Sequence, residues 1–108
     1  MELKEIATQY FTTFSNKDID GLALMFTDDI VLRDWERSAE GSTDVLAANQ
    51  AIFDAVDSIE VTPLALYQDL DIVIAEISIL INGTDTLLVN DVLTFVDEKI
   101  SNIRAYRG

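Results

Sequence analysis

The sequence contains no cysteine and no histidine. Their absence excludes Ser-His-Asp and Cys-His nucleophile systems, Cys/His zinc sites, disulfide frameworks, iron–sulfur clusters and histidine-ligated haem. Glycine is sparse, and Gly21, Gly41, Gly83 and Gly108 form no phosphate-cradling loop. Bases are few: 7 Lys and Arg stand against 20 Asp and Glu, a net charge of −13. Both halves share the imbalance, with 12 acids and 4 bases in residues 1–57 and 8 and 3 in residues 58–108. With no basic face to neutralise phosphates, neither a nucleic-acid partner nor an anionic membrane is expected. Long apolar runs are also missing. The longest, residues 22–26, falls far short of the ~20 residues that span a bilayer. The opening Met1-Glu2-Leu3-Lys4-Glu5 lacks the basic and apolar stretches of a signal peptide, so a cytoplasmic location is expected.

What is present is enough apolar material for one core. The chain is 49% hydrophobic over 108 residues and its mean hydropathy is +0.21. A single domain over residues 1–108 follows, with no linker, repeat or low-complexity segment. Any acid–base chemistry must come from Asp, Glu, Tyr or Lys.

Leu3, Ile6, Ala7, Tyr10, Phe11 and Phe14 recur at helical spacing and predict a first helix near residues 2–15. Asp18 is placed to cap a short second helix through Ile19, Leu22, Ala23 and Phe26. Thr27-Asp28-Asp29 ends it, and Ile30 to Trp35 reads as a short strand. After a loop from Glu36 to Gly41, Ser42 or Thr43 caps a third helix to about Val56, with Val45, Ala48, Ile52, Phe53 and Val56 on one face. Four strands are predicted beyond it, at residues 59–68, 71–81, 86–96 and 100–107. Pro63 marks an edge or a bulge, and Asn82-Gly83 a hairpin turn. Helices followed by a meander give an α+β domain, a curved antiparallel sheet with helices on one face.

Three residues stand out as chemistry. Along residues 87–96, Leu87, Val89, Asp91, Leu93 and Phe95 share one strand face. Asp91 is the one polar group there. A carboxylate so placed is paired, solvated by a cavity, or protonated. It either donates a hydrogen bond as a neutral acid, or it caps a neighbouring backbone or pairs with Arg104. Tyr10 lies on the buried stripe of the first helix, as a core phenol or as a donor into a pocket. Asp34 follows Arg33 at the end of the short strand. If Arg33 faces outward, alternation turns Asp34 inward as a general base; otherwise it is a salt-bridged loop acid. On the opposite sheet face, Ile72, Ile74, Leu80, Leu88, Val92 and Val96 are more apolar than a solvated surface needs, which predicts a homodimer through the outer face of the sheet.

The run Tyr10-Phe11 … Asn16-Lys17-Asp18-Ile19-Asp20-Gly21-Leu22 … Met25-Phe26-Thr27-Asp28-Asp29-Ile30-Val31 resembles the opening of the nuclear transport factor 2-like (SnoaL-like) superfamily. Asn90-Asp91-Val92-Leu93-Thr94-Phe95 … Asp97-Glu98-Lys99-Ile100 … Ile103-Arg104-Ala105-Tyr106 resembles its last hairpin. The resemblance implies a cystatin-like cone in which a curved sheet and three N-terminal helices enclose an apolar pocket. Phe14, Phe26, Trp35, Phe53, Val89, Leu93 and Ile103 are then expected on the pocket lining. The superfamily holds isomerases, dehydratases, epoxide hydrolases, polyketide cyclases and non-catalytic binding domains.

The functional pattern is most similar to bacterial ketosteroid isomerase. Its catalytic tyrosine corresponds to Tyr10, its base to Asp34, and its oxyanion-binding aspartic acid, held neutral by an apolar site, to Asp91. The resemblance therefore implies a metal-free, cofactor-free acid–base enzyme moving a proton next to a carbonyl on a small apolar molecule. The alternative is a non-catalytic apolar small-molecule binding or dimerisation domain. The match has departures. Phe26 and Phe53 stand near positions of further tyrosines, Trp35 replaces a proline, Arg107 stands near a pocket aromatic, and Arg33 or Arg37 could neutralise Asp34.

Overall fold

The structure, a computed structural model, describes residues 1–108. Helix α1 (Leu3–Ser15) buries Ile6, Ala7, Tyr10 and Phe11, the stripe its spacing predicts. Asn16 and Lys17 end it, and Lys17 takes a left-handed φ of 54°. Its ammonium donates to the carbonyls of Phe53, Val56 and Asp57. A cation there satisfies the open carbonyls at the end of α3. Helix α2 (Ile19–Met25) is capped by Asp18, whose Oδ1 accepts from the Gly21 N–H at 3.0 Å.

The chain then departs from its local signals. Strand β1 (Phe26–Arg33) begins where the second helix was expected to continue, so Thr27, Asp28 and Asp29 lie in a strand. Pairing of Phe26 with Ile100 across the sheet outweighs the turn preference of two aspartates. A short β2 (Ser38–Glu40) forms within the expected loop and folds back on β1. Helix α3 (Ser42–Ala55) is preceded by Gly41 at φ 86°, so the N-cap is this glycine rather than Ser42 or Thr43.

Strands β3 (Ile59–Asp69), β4 (Ile72–Ile81), β5 (Asp85–Val96) and β6 (Lys99–Arg107) form the expected meander. Asn82 and Gly83 both take positive φ, 53° and 71°, as a tight hairpin turn requires. Pro63 meets both of its expectations, since β3 is an edge strand and its register shifts between Pro63 and Ala65. The six strands run in the order β2-β1-β6-β5-β4-β3.

The sheet is mixed rather than antiparallel, because β1 lies parallel to β6. These strands are adjacent in space but distant in sequence, and helix α3 with the meander supplies the long return that a parallel neighbour needs. Three register shifts, in β1–β6, β3–β4 and β5–β6, bend the sheet around its concave face. The core lies between that face and the helices, with Leu22, Ile30, Val45, Val73, Leu93 and Ile100 fully buried. No helix is long and apolar enough to cross a membrane.

Candidate active site

One cavity of about 260 Å³ opens between the concave sheet face and the helices. Strands β3 to β6 supply apolar walls, including Ile77, Ile79, Val89 and Ile103. Helix α1 contributes Tyr10, Phe11 and Phe14, and helix α3 contributes Asn49 and Ile52. The turn after β1 supplies the rim with Asp34, Trp35, Glu36 and Arg37, and the end of β6 adds Arg107.

Tyr10, Asp34 and Asp91 therefore reach one cavity from three elements. Asp91 is 6% exposed and faces Ala75 on β4 and Ala105 on β6, where the small side chains leave room beside it. Arg104 cannot reach it. It pairs with Val92 and so lies on the opposite sheet face. Burial, then the charge of Asp34, pushes the Asp91 carboxyl up from its ordinary 3.8 to about 7. Tyr10 is 5% exposed. Burial, then the Asp91 charge, raises its phenol well above the usual 10. No protein group hydrogen-bonds either side chain, so neither is engaged within the protein and both face the cavity.

Asp34 is held differently. Its Oδ1 accepts the backbone N–H groups of Glu36 at 2.7 Å and Arg37 at 2.6 Å, and its own N–H donates to the Arg37 carbonyl at 2.9 Å. This turn fixes the carboxylate at the rim and leaves Oδ2 without a partner. Neither Arg33 nor Arg37 forms an ion pair with it. Arg33 points to solvent, and Arg37 lies 3.7 Å from Glu36. With Arg33 outward, Asp34 faces the cavity as alternation predicts, anchored by backbone N–H groups rather than held by a salt bridge.

Of the seven expected lining residues, Phe14, Trp35, Val89 and Ile103 face the cavity. Phe26, Phe53 and Leu93 do not. They fill the core one layer behind, where Phe26 packs 6.1 Å from Tyr10 and Phe53 packs 4.8 Å from Phe14, ring centre to ring centre. As hydrophobes they support the ring that reaches the cavity. Asn49 was not anticipated. It is 3% exposed, and it sits four residues from Val45 and from Phe53 on the stripe already assigned to the buried face of α3.

Chains of the same shape are known. A candidate ketosteroid isomerase from Kribbella flavida DSM 17836 superimposes with a TM-score of 0.86 at 19% identity, over 98% of this chain and 77% of that one. A candidate polyketide cyclase from Sinorhizobium meliloti gives 0.85 at 20% identity, over 97% and 99%. An LEH-like epoxide hydrolase from M. tuberculosis gives 0.84 at 18%, over 96% and 80%. At such identities the likeness is one of fold, and one fold hosts many activities. No curated protein matches the chain in sequence. The family model of the SnoaL-like domain matches residues 7–103, nearly the whole chain. With its three helices and curved six-stranded sheet, the chain belongs to the SnoaL-like domain family of the nuclear transport factor 2-like superfamily.

Proposed function

We propose that the protein is a cofactor-free acid–base enzyme that moves a proton next to the carbonyl of a small, largely apolar molecule. The observation that carries this reading is the convergence of two buried proton donors, Tyr10 and Asp91, with an unpaired carboxylate, Asp34, on one apolar cavity. Asp34 Oδ2 takes a proton from the carbon beside the carbonyl. The electrons of that C–H bond form the enolate double bond, and the negative charge moves to oxygen. Tyr10 and neutral Asp91 donate hydrogen bonds to that oxygen. Such donors, held in a water-poor site, are worth about 3–4 kcal/mol each. Asp34 then returns the proton to a different carbon, which completes an isomerisation. A volume of about 260 Å³ lies below the ~300–1,000 Å³ usual for ligand pockets. The substrate is therefore small, nearer one ring than four.

The test is conversion of a small cyclic β,γ-unsaturated ketone to its conjugated isomer, followed by ultraviolet absorbance. Asp34→Asn keeps an oxygen for the two backbone N–H groups but removes the base, and is expected to lose about 10³-fold in rate. A wild-type rate no higher than that of Asp34→Asn would overturn the proposal.

We also infer that the protein pairs with a second copy through the outer sheet face. Leu88 and Val96 there are 58% and 50% exposed, and the cross-strand pair Ile74 and Val92 lies between them on the same face. Glu76 and Arg104 share this face, so a two-fold axis can bring opposite charges together although the rest of the surface is acidic. Sedimentation is expected to give a dimer at micromolar concentration, and Val92→Glu a monomer. A wild-type monomer would refute the pairing.

A further inference from the structure

The Nδ2 of Asn49 is buried and has no hydrogen-bond partner in the protein. A buried amide in that state is unfavourable for folding unless something else satisfies it. Asn49 lines the cavity, and its amide plane turns about a broad terminal torsion, so either end can be offered to a guest. We propose that Asn49 hydrogen-bonds a second oxygen of the bound molecule, distinct from the one held by Tyr10 and Asp91. The ligand class is then a small carbonyl compound bearing a second oxygen, as a hydroxyl or a further carbonyl. The inference deepens the reading above and rests on it for the position of the first oxygen.

Two arguments separate the oxygens. A carbonyl oxygen has two lone pairs, and Tyr10 and Asp91 occupy both. Asn49 also reaches the cavity from another wall. It comes from α3, which packs on β1 and β2, whereas Asp91 stands on β5 and Tyr10 on α1 over β3. The neighbours of Asn49 on its own helix are apolar, Val45 and Phe53 at one turn's distance, so α3 itself offers no partner. A ligand with one oxygen leaves Asn49 unsatisfied; a ligand with two oxygens at the right separation satisfies both sites.

Trp35 is the sole tryptophan and stands at the rim, so its fluorescence reports binding. Phenol, with one oxygen, is titrated against 1,3- and 1,4-dihydroxybenzene in the wild type and in Asn49→Leu, which keeps the volume and removes the amide. The wild type is expected to favour one of the dihydroxybenzenes over phenol by at least tenfold more than the variant does. Phenol affinity is expected to agree within twofold. An unchanged preference would overturn the assignment. Should Asn49→Leu fail to fold, the side-chain NH₂ resonances of Asn49 in the wild type decide. A shift with a dihydroxybenzene but not with phenol supports the proposal, and no shift, or equal shifts with all, overturns it. Phenol binding that ignores Tyr10→Phe defeats the reading of the first oxygen, and leaves the Asn49 preference to be judged on its own ratio.

Discussion

The concave face of the sheet has two halves that the same strands build in opposite ways. Toward one end, Val73, Leu93, Phe95 and Ile100 meet Leu22, Ile30 and Phe26, and the space is filled. Toward the other, Ile77, Val89, Asp91 and Ala105 face a cavity. Strand β5 passes through both: Leu93 is fully buried in hydrocarbon, and Asp91, two residues earlier, ends in open space. The contrast extends to the two acids of the cavity. Asp91 at its floor is pushed toward neutrality, whereas Asp34 at its rim is held by backbone N–H groups. Environment, not residue type, separates the two carboxyls, and the proposed roles of donor and base rest on that difference.

The contrast can be broken by single substitutions. The largest effect on turnover is that of Asp34→Asn, about 10³-fold, with the melting temperature nearly unchanged because the turn keeps its acceptor.

The floor acid makes the reverse pair of predictions, with stability the larger effect. Its carboxyl is raised in the folded state, from 3.8 to about 7. Stability from the neutral acid is thus fully present below pH 3.8 and is lost as pH rises through about 7. Over that window the loss is of the order of 4 kcal/mol. Asp91→Asn is expected to flatten the window in urea titrations and to be more stable than wild type at pH 8. Isomerase activity of the wild type should decline above pH 7, as Asp91 loses the proton it donates. A wild-type stability independent of pH between 4 and 8 would contradict this picture.

Smaller still is the difference between two truncations. Leu93→Ala, in the filled half, is expected to cost about 3 kcal/mol, because it opens a cavity where none existed. Ile79→Ala, on the wall of the open half, is expected to cost about 1 kcal/mol, since it enlarges a space already present. Equal costs in urea denaturation would mean that the two halves are packed alike.

Much of this arrangement is legible in the chain itself, for local reasons. A period of two fixes that Asp91 shares a face with Val89 and Leu93, and helical spacing fixes that Tyr10 shares one with Ile6 and Phe11. Asn82-Gly83 sets its turn by left-handed backbone geometry. Strand β2, the early start of β1 and the parallel β1–β6 pair were not legible. The β1–β6 pairing and the early start of β1 depend on partners some 70 residues away, and β2 forms only by folding back on β1; no local propensity encodes them. Asn49 was visible in principle, as the polar member of an otherwise apolar stripe, but its missing partner was not.

The missing histidine and cysteine confine any chemistry to carboxyls, phenols and amines, and the sequence alone places two of these groups on buried faces. It could not decide whether the space between them is filled. Phe26 and Phe53 fall behind the lining, Asp34 escapes both neighbouring arginines, and Arg104 is turned away from Asp91. The first turns on packing between segments remote in sequence, the second on the hydrogen bonds of the rim turn and the third on the β5–β6 register, and side-chain periodicity sets none of them.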